Sequence, residues 1–154
     1  MLDSYGVIVF HNLTLVKNYF ARLNVSLVRA DFGSAGTSYK ADFKTGKIVT
    51  NYTAADPAAA LEVYGAQLYK YLFLDYGFDM PYPVPSDLLL PFGDFVKKYA
   101  LEDMVQFIFS FAEGLGDLLK QPTLYVLKNF GSDLMADLQT GFLTTELKDN
   151  SLLY

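Results

Sequence analysis

The sequence contains no cysteine and only one histidine, His11. Without cysteine there is no disulfide, no thiolate metal site and no cysteine nucleophile, and one imidazole leaves a zinc site without its usual nitrogen and sulfur ligands. Basic residues are also scarce, since 12 Lys and Arg stand against 17 Asp and Glu. An acidic chain of this kind lacks the positive surface that holds a phosphate backbone. Metal chemistry and nucleic-acid binding are therefore both disfavoured.

Charged residues and long apolar runs are in short supply as well. Only 19% of the residues are charged while 52% are hydrophobic, whereas a typical soluble domain carries about 25% charged residues. The longest apolar run, at 107–112 with Ser110 inside it, is far below the roughly 18 residues of a membrane span. The 154-residue chain is therefore predicted to form one domain without a membrane span, which buries much of its surface or shares it with a partner.

Strand signals are concentrated in residues 1–55. Residues 13–23 carry apolar side chains at the three- and four-residue spacing of an amphipathic helix, which Asn12 starts as an N-cap and Asn24 ends. Three segments have the β-branched, aromatic or alternating pattern of strands: 7–10, 25–32 and a hairpin over 39–52 that turns at Gly46. This part of the chain is predicted to be β-rich with one helix.

Helix signals dominate residues 56–154. Asp56 and Pro57 form an N-cap followed by proline at the first helical position. The prolines within 80–85 each remove an amide donor and restrain the preceding residue, so that segment is predicted to be an extended connector. Helical spacing marks five segments: 57–72, 91–99, 102–112, 122–130 and 132–139. The prediction is an α+β fold, with a small mixed or antiparallel sheet in the first third followed by a mainly helical region.

Few residues are candidates for chemistry. Glu102 and Asp103 are adjacent acids, but acids are favoured early in a helix by its dipole, so capping is the favoured interpretation. Gly114 and Gly116 begin like a GxGxxG dinucleotide fingerprint but lack the third glycine, which predicts only a helix break. His11 could orient a ligand or move a proton. Because no acid stands beside it in sequence, a histidine that merely closes a strand end is the favoured interpretation. The catalytic residues stay unassigned, and no metal site is predicted.

Aromatic residues are abundant, with 13 Phe and 12 Tyr clustered at 64–78 and 92–111. They could line a pocket for a flat apolar substrate, form plain core, or pack against another domain while keeping hydroxyls bonded. The shortage of charge favours the last of these interpretations.

Three glycosylation sequons, at Asn12, Asn24 and Asn51, would suit a secreted chain. The first twelve residues, however, carry an early acid and no basic leader, so they do not form a signal peptide. Secretion is thus expected only if a leader lies outside this sequence, and the localisation stays open.

Several stretches of the sequence resemble one family of enzymes. They are DSYGVIVFHN at 3–12, PAAALEVYGAQLYKY at 57–71, PVPSDLLLPFGDFVKKYALEDMV at 83–105 and GLGDLLKQPTLYVLKNFG at 114–131. Together they resemble the fungal FAD-dependent oxidoreductases related to flavin amine oxidases, over nearly the whole chain. The stretch at 3–12 is similar to the part of that family that passes beside the isoalloxazine ring. The resemblance implies that Gly6, Val7 and His11 approach the flavin.

The same resemblance implies a role as the substrate-binding domain of a flavoprotein. In that family FAD does the redox chemistry, and this part of the chain covers the flavin and shapes the cavity for a small organic substrate. The GxGxxG strand, turn and helix that hold the FAD pyrophosphate are absent from residues 1–154. We therefore expect a single partial domain that does not bind FAD stably alone, is inactive alone, and needs a flavin-binding domain in cis or in trans.

One hypothesis from another class remains open. The chain could be a non-catalytic module that binds an apolar ligand or another protein, a hypothesis supported by its composition alone.

Overall fold

Helices dominate the part of the chain that the structure describes. The structure is a computed structural model, and it describes residues 7, 9–31, 39–148 and 150–153, apart from the side chains of Glu113 and Leu152. The α-helices are α1 (Thr14–Arg22), α2 (Ala58–Leu68), α3 (Ser86–Leu89), α4 (Phe92–Tyr99), α5 (Val105–Phe109), α6 (Thr123–Asn129) and α7 (Ser132–Thr140). Short 3₁₀ helices lie at Tyr69–Leu74, Glu102–Met104, Glu113–Leu115, Leu118–Lys120 and Ser151–Leu153. None of the described helices has the length and apolar character needed to cross a bilayer.

Two short strands, β1 (Leu27–Arg29) and β2 (Leu143–Thr145), form an antiparallel pair. Leu27 lies opposite Thr145 and Arg29 lies opposite Leu143. Phe10 adds an antiparallel bridge to Leu143, through hydrogen bonds of 2.8 and 2.9 Å between their backbone groups. The α+β class is confirmed. The partner of β1, however, is a strand that follows α7 and that the sequence pattern did not predict.

The predicted strands are shorter in the structure than in the sequence pattern. Of the run at 7–10, the described residues show only the bridge at Phe10, and of the strand at 25–32 only β1 forms, with residue 32 outside the described part. The hairpin at 39–52 is reduced to one bridge between Ala41 and Ile48, turning at Gly46 with φ of +67°. All its residues are exposed, so its alternating pattern has no core face to bury and cannot extend the ladder.

Helix α1 ends as the sequence predicts, but it begins without an Asn12 cap. Asn24 takes the left-handed conformation with φ of +54°, and the amide of Val25 donates to the carbonyl of Phe20 at 3.0 Å. This is the Schellman pattern, in which the capping turn brings two apolar residues together. The N-cap position is Leu13, with no side-chain hydrogen bond, and the backbone amide of Asn12 bonds elsewhere, as described below.

The helical region follows the predicted segments closely. Helix α2 begins at Ala58 with Pro57 at the N-cap position, one residue later than predicted, and Asp56 accepts a hydrogen bond from the Ala58 amide at 3.0 Å. The segment at 57–72 is divided into α2 and a 3₁₀ turn, because Tyr71 leaves helical geometry at φ −128° and ψ 36°. The segment at 102–112 forms only a 3₁₀ turn followed by α5. Residues 80–85 are not helical, as their prolines predict.

One apolar core joins these helices. Its fully buried members are large side chains from α2 to α6 and the turns between them, namely Tyr64, Leu88, Phe92, Phe95, Leu101, Met104, Ile108, Val126, Leu127 and Phe130. The Tyr64 hydroxyl donates to the carbonyl of Phe130 at 2.8 Å. This bond satisfies a buried polar group and fixes α2 against the corner that leads into α7. Helix α7 packs one side against this core through Leu134, Met135 and Leu138.

Candidate functional site

His11 is placed by the backbone bridge that precedes it. Because Phe10 exchanges both of its backbone hydrogen bonds with Leu143, the chain at residue 11 is held beside the segment that connects α7 to β2. The Phe10 ring packs edge-on against Phe20 of α1, with ring centroids 4.7 Å apart. The His11 ring lies 6.1 Å from that of Phe142. The single histidine of the sequence is thus fixed between the first helix and the β2 segment.

Asp137, on helix α7, forms the central contact of the site. Its side chain is 3% exposed, and its Oδ2 lies within hydrogen-bond distance of Nδ1 of His11. Its Oδ1 accepts a hydrogen bond from the backbone amide of Asn12 at 3.0 Å. Each oxygen of this buried carboxyl group therefore has a hydrogen-bond partner, which is what burial of a polar group requires. The His11–Asp137 pair joins residues 126 positions apart.

The imidazole of His11 is itself accessible. Its side chain is 45% exposed, and it lines a small cavity of about 90 Å³ together with Asp75, Lys128 and Ser132. The hydroxyl of Ser132 donates to Asp75 at 2.6 Å, and the ammonium group of Lys128 donates to the carbonyl of Leu74. The cavity walls are thus tied together by polar contacts, with His11 at the edge.

Val7 and Gly6, the other residues singled out by the resemblance, are less informative. The Val7 side chain is 64% exposed, and its carbonyl accepts a hydrogen bond from the side-chain amide of Asn150 at 2.6 Å. Asn150 is buried, so this bond anchors the chain just before His11. Gly6 lies outside the described residues. The structure therefore places Val7 and His11 in one anchored, partly exposed segment.

The remaining candidates do not converge on a site. Glu102 and Asp103 are exposed at the start of a short 3₁₀ helix, in agreement with a capping role. Gly116 has φ of +70° between two 3₁₀ turns, which confirms a helix break in place of a phosphate-binding turn. Within the described residues, no group of three or more acidic or histidine side chains is arranged to hold a metal ion.

Asp137 is the site residue that sequence reasoning missed. Its distance from His11 along the chain hides the pairing, and an acid in a helix is ordinary. The spacing around it gave no signal either, because only Leu134 is an apolar neighbour at helical spacing, while Asp133, Thr140 and Gly141 hold the other such positions.

A larger groove opens between α2 and α7, with a volume of about 450 Å³. Its walls include Leu61, Gly65, Met135 and Ala136. The absence of a side chain at Gly65 contributes to the opening, since a Cβ there would lie 3.6 Å from the Met135 methyl group. This volume lies in the range of pockets that bind small molecules, about 300 to 1,000 Å³.

The described residues fit a flavin ring better than they fit a whole dinucleotide. Val7 offers an exposed apolar side chain and His11 an accessible imidazole, which are groups that can contact the edge of a flat heterocycle. A pyrophosphate needs backbone amides at a glycine turn and a helix N-terminus, and the sequence contains no GxGxxG. The given sequence thus lacks the motif that holds the nucleotide, whereas Val7 and His11 would be available to border a flavin ring.

Comparison with known proteins gives a consistent set of relatives. None of the protein-family models and no solved structure matches the sequence. The chain is 39% identical to the FAD-dependent oxidoreductase oblC of Cochliobolus heterostrophus, over 97% of this chain and 32% of that protein. It is 38% identical to the FAD-dependent oxidoreductase dpasF of Apiospora sacchari, over 98% of this chain and 33% of that protein.

A third relative has a more specific name. The chain is 38% identical to the Beta-cyclopiazonate dehydrogenase of Aspergillus oryzae, over 91% of this chain and 30% of that protein. The chain thus spans about a third of the length of the relatives it matches. Along nearly its whole length, this chain is similar to one part of fungal FAD-dependent oxidoreductases.

Proposed function

We propose that this chain serves as the substrate-binding part of an FAD-dependent oxidoreductase of the flavin amine oxidase type, in which it forms one wall of the substrate cavity over the flavin. The observation that carries the proposal is the 39% identity over 97% of the chain to a fungal FAD-dependent oxidoreductase. Residues 1–154 would act as a single partial domain, and the flavin-binding region would be supplied in cis or in trans.

In this function FAD, when bound, supplies the redox chemistry. The chain's own residues bind, orient and exclude water. Val7 and His11, with Gly6 beside them, would border the ring. The anchoring of this segment by Asn150 and Asp137 supports the proposal, because a group that borders a reacting ring must be held in position. The substrate would be a small organic molecule with a largely apolar body.

The proposal predicts that the isolated chain does not retain flavin and that a chimera does. In the chimera, residues 1–154 replace the matching third of the oblC protein. We expect the chimera to copurify with flavin whose absorption spectrum is perturbed by the protein. His11→Ala should then alter that spectrum, while Lys47→Ala, in the exposed hairpin, should leave it unchanged.

Two results would contradict the proposal. The first is stoichiometric FAD with a perturbed spectrum on the isolated chain, because the missing nucleotide site would then be present after all. The second is a folded chimera without flavin, tested beside the intact relative as the positive control. A flavin spectrum that is indifferent to His11→Ala would remove this residue from the proposed ring contacts and leave the wider proposal standing.

A non-catalytic apolar-ligand module is the second candidate, and the groove between α2 and α7 favours it. If this function holds, the isolated chain should bind an apolar fluorescent dye with saturation. Gly65→Leu, which places a side chain in the groove, should then abolish binding. Gly114→Leu is the matched control, because a Cβ at that position meets nothing within 4 Å. Dye binding that is equal in both variants would count against the module.

A further inference from the structure

We infer that Asp137 is a positioning residue that fixes the tautomer of His11, so that Nε2 carries the free lone pair and accepts a proton from a ligand or water beside it. The tautomer is inferred from the contacts of the pair alone, whereas a part for Nε2 in a reaction rests on the proposed function.

The tautomer follows from the donors and acceptors around Asp137. An ionised carboxylate can only accept hydrogen bonds. Its Oδ1 is taken by the Asn12 amide at 3.0 Å, and its Oδ2 faces Nδ1 of His11. Nδ1 must therefore carry the hydrogen, and in the neutral ring Nε2 is then the acceptor. Orientation of an imidazole by a buried carboxylate is a recurring way to prepare a proton acceptor.

The His11 ring lies where solvent or a ligand can reach it. The Asp137 side chain is 3% exposed while the His11 side chain is 45% exposed, so Nδ1 faces a buried partner in a ring that solvent or a ligand can reach. His11 also lines the cavity of about 90 Å³, together with Ser132 and Lys128. A donor at this edge, such as an amine, a hydroxyl or a water molecule, would give its proton to Nε2 and keep the electron pair, leaving an imidazolium ring held by Asp137.

A single substitution tests this assignment. In Asp137→Asn the side chain keeps its shape but has one oxygen and one NH₂ group. The oxygen is needed by the Asn12 amide, which leaves the NH₂ group facing Nδ1. Nδ1 must then accept, and the hydrogen moves to Nε2. The substitution is therefore expected to reverse the tautomer while the fold is retained.

The measurement is nitrogen-15 NMR of the imidazole, followed to the alkaline pH at which the ring-nitrogen shifts no longer change. Because His11 is the only histidine, the spectrum contains a single pair of ring nitrogens. We expect hydrogen on Nδ1 in the wild-type chain and on Nε2 in Asp137→Asn. Asp133→Asn, which removes another carboxylate of α7, should keep the wild-type pattern. Amide spectra of each variant confirm that the fold is retained.

Hydrogen on Nε2 in the wild-type chain, or the same tautomer in both proteins, would overturn the inference. If Asp137→Asn does not fold, Asp137→Glu is the second variant, which keeps an acceptor and should retain hydrogen on Nδ1. This measurement needs no flavin, so its outcome is separate from that of the proposed function. In a flavin-loaded chimera, Asp137→Asn should lower kcat by on the order of 100-fold with little change in KM. A rise in KM alone would mean that Asp137 acts only on binding.

Discussion

Removal of one buried hydroxyl, in Tyr64→Phe, should destabilise the corner from which α7 starts. The Tyr64 side chain is fully buried, and its hydroxyl donates to the carbonyl of Phe130 at 2.8 Å. The two rings also pack edge to face, with centroids 5.7 Å apart. Phenylalanine keeps the ring contact and loses only the donor. The substitution therefore isolates the hydrogen bond between α2 and the residue that precedes Gly131, the N-cap of α7.

The expected loss follows from the carbonyl that is left without its donor. A buried polar group left unpaired costs about 1 to 3 kcal/mol. For a chain of this size each kcal/mol lowers Tm by about 2 to 4 °C. Tyr64→Phe should therefore lower Tm by roughly 2 to 12 °C. In urea titrations followed by circular dichroism, the midpoint should fall while the slope m stays constant, because the unfolded state exposes the same surface.

The matched control is Tyr125→Phe on α6. The Tyr125 side chain is 50% exposed, so its hydroxyl is solvated in both states and its loss should change stability by less than about 0.5 kcal/mol. Equal stability of the two variants, or a Tyr64→Phe protein within about 0.5 kcal/mol of wild type, would refute the reasoning, because the buried carbonyl would then have lost nothing.

The dependence of stability on alkaline pH provides a second test of Tyr64. Burial raises the pKa of Tyr64 well above its ordinary value. The folded state therefore holds this proton more tightly than the unfolded state. The stabilisation is fully present below the unfolded tyrosine pKa near 10 and is lost as pH rises beyond it. Tyr64→Phe should show a shallower loss of stability above about pH 10 than the wild-type protein, as measured by Tm against pH. An unchanged slope would contradict this.

Three further substitutions test separate parts of the fold. Gly141→Ala should destabilise by about 1 to 3 kcal/mol in urea melts, because the residue has φ of +85°, which residues with a side chain rarely adopt, and a Cβ would displace the flexible guanidinium group of Arg29. Gly65→Ala should stabilise by up to about 1 kcal/mol, since it sits in α2 and its Cβ meets only an ordinary contact. The hydrogen bond from Lys98 lowers the pKa of Asp87, so its stabilisation is present above the ordinary pKa near 3.9 and is lost as pH falls through the folded value. Asp87→Asn should therefore make Tm fall less steeply with decreasing pH than in the wild-type protein. An equally steep fall in both proteins would contradict a stabilising contribution from the Lys98–Asp87 pair.

Helices were predictable where local signals and burial agree. Pro91 and the apolar spacing after it predicted a helix over 91–99, and α4 occupies Phe92–Tyr99. Proline fixes the entry to the helix, and the buried Phe92, Phe95 and Val96 share one face. In the segment at 102–112 the same kind of spacing gave only a short α5, because tertiary packing, and not spacing alone, decides where a helix continues.

Strand β2 was not predictable from the same signals. Leu143 and the β-branched residues Thr144 and Thr145 form a short run after Gly141, which is too brief to be recognised as a strand next to a helical pattern. Its pairing with β1 joins residues more than a hundred positions apart, and nothing local in either segment specifies that partner. In the hairpin at 39–52 the local strand pattern is clear, but its residues are exposed and pair through only one bridge.

The placement of His11 depends on helix α7 more than on its own segment. The apolar core is built from residues 60–130, and α7 packs against it from the C-terminal side. On its other side α7 presents Asp137 to His11 and Asn12. The bridge from Phe10 to Leu143 and the bond from Asn150 to Val7 also end on residues that follow the start of α7. Of these tethers, the contacts of Asp137 connect the candidate site directly to α7, which packs on the core. A change in how α7 packs on the core, such as loss of the Tyr64 hydrogen bond, should therefore reach His11 through Asp137.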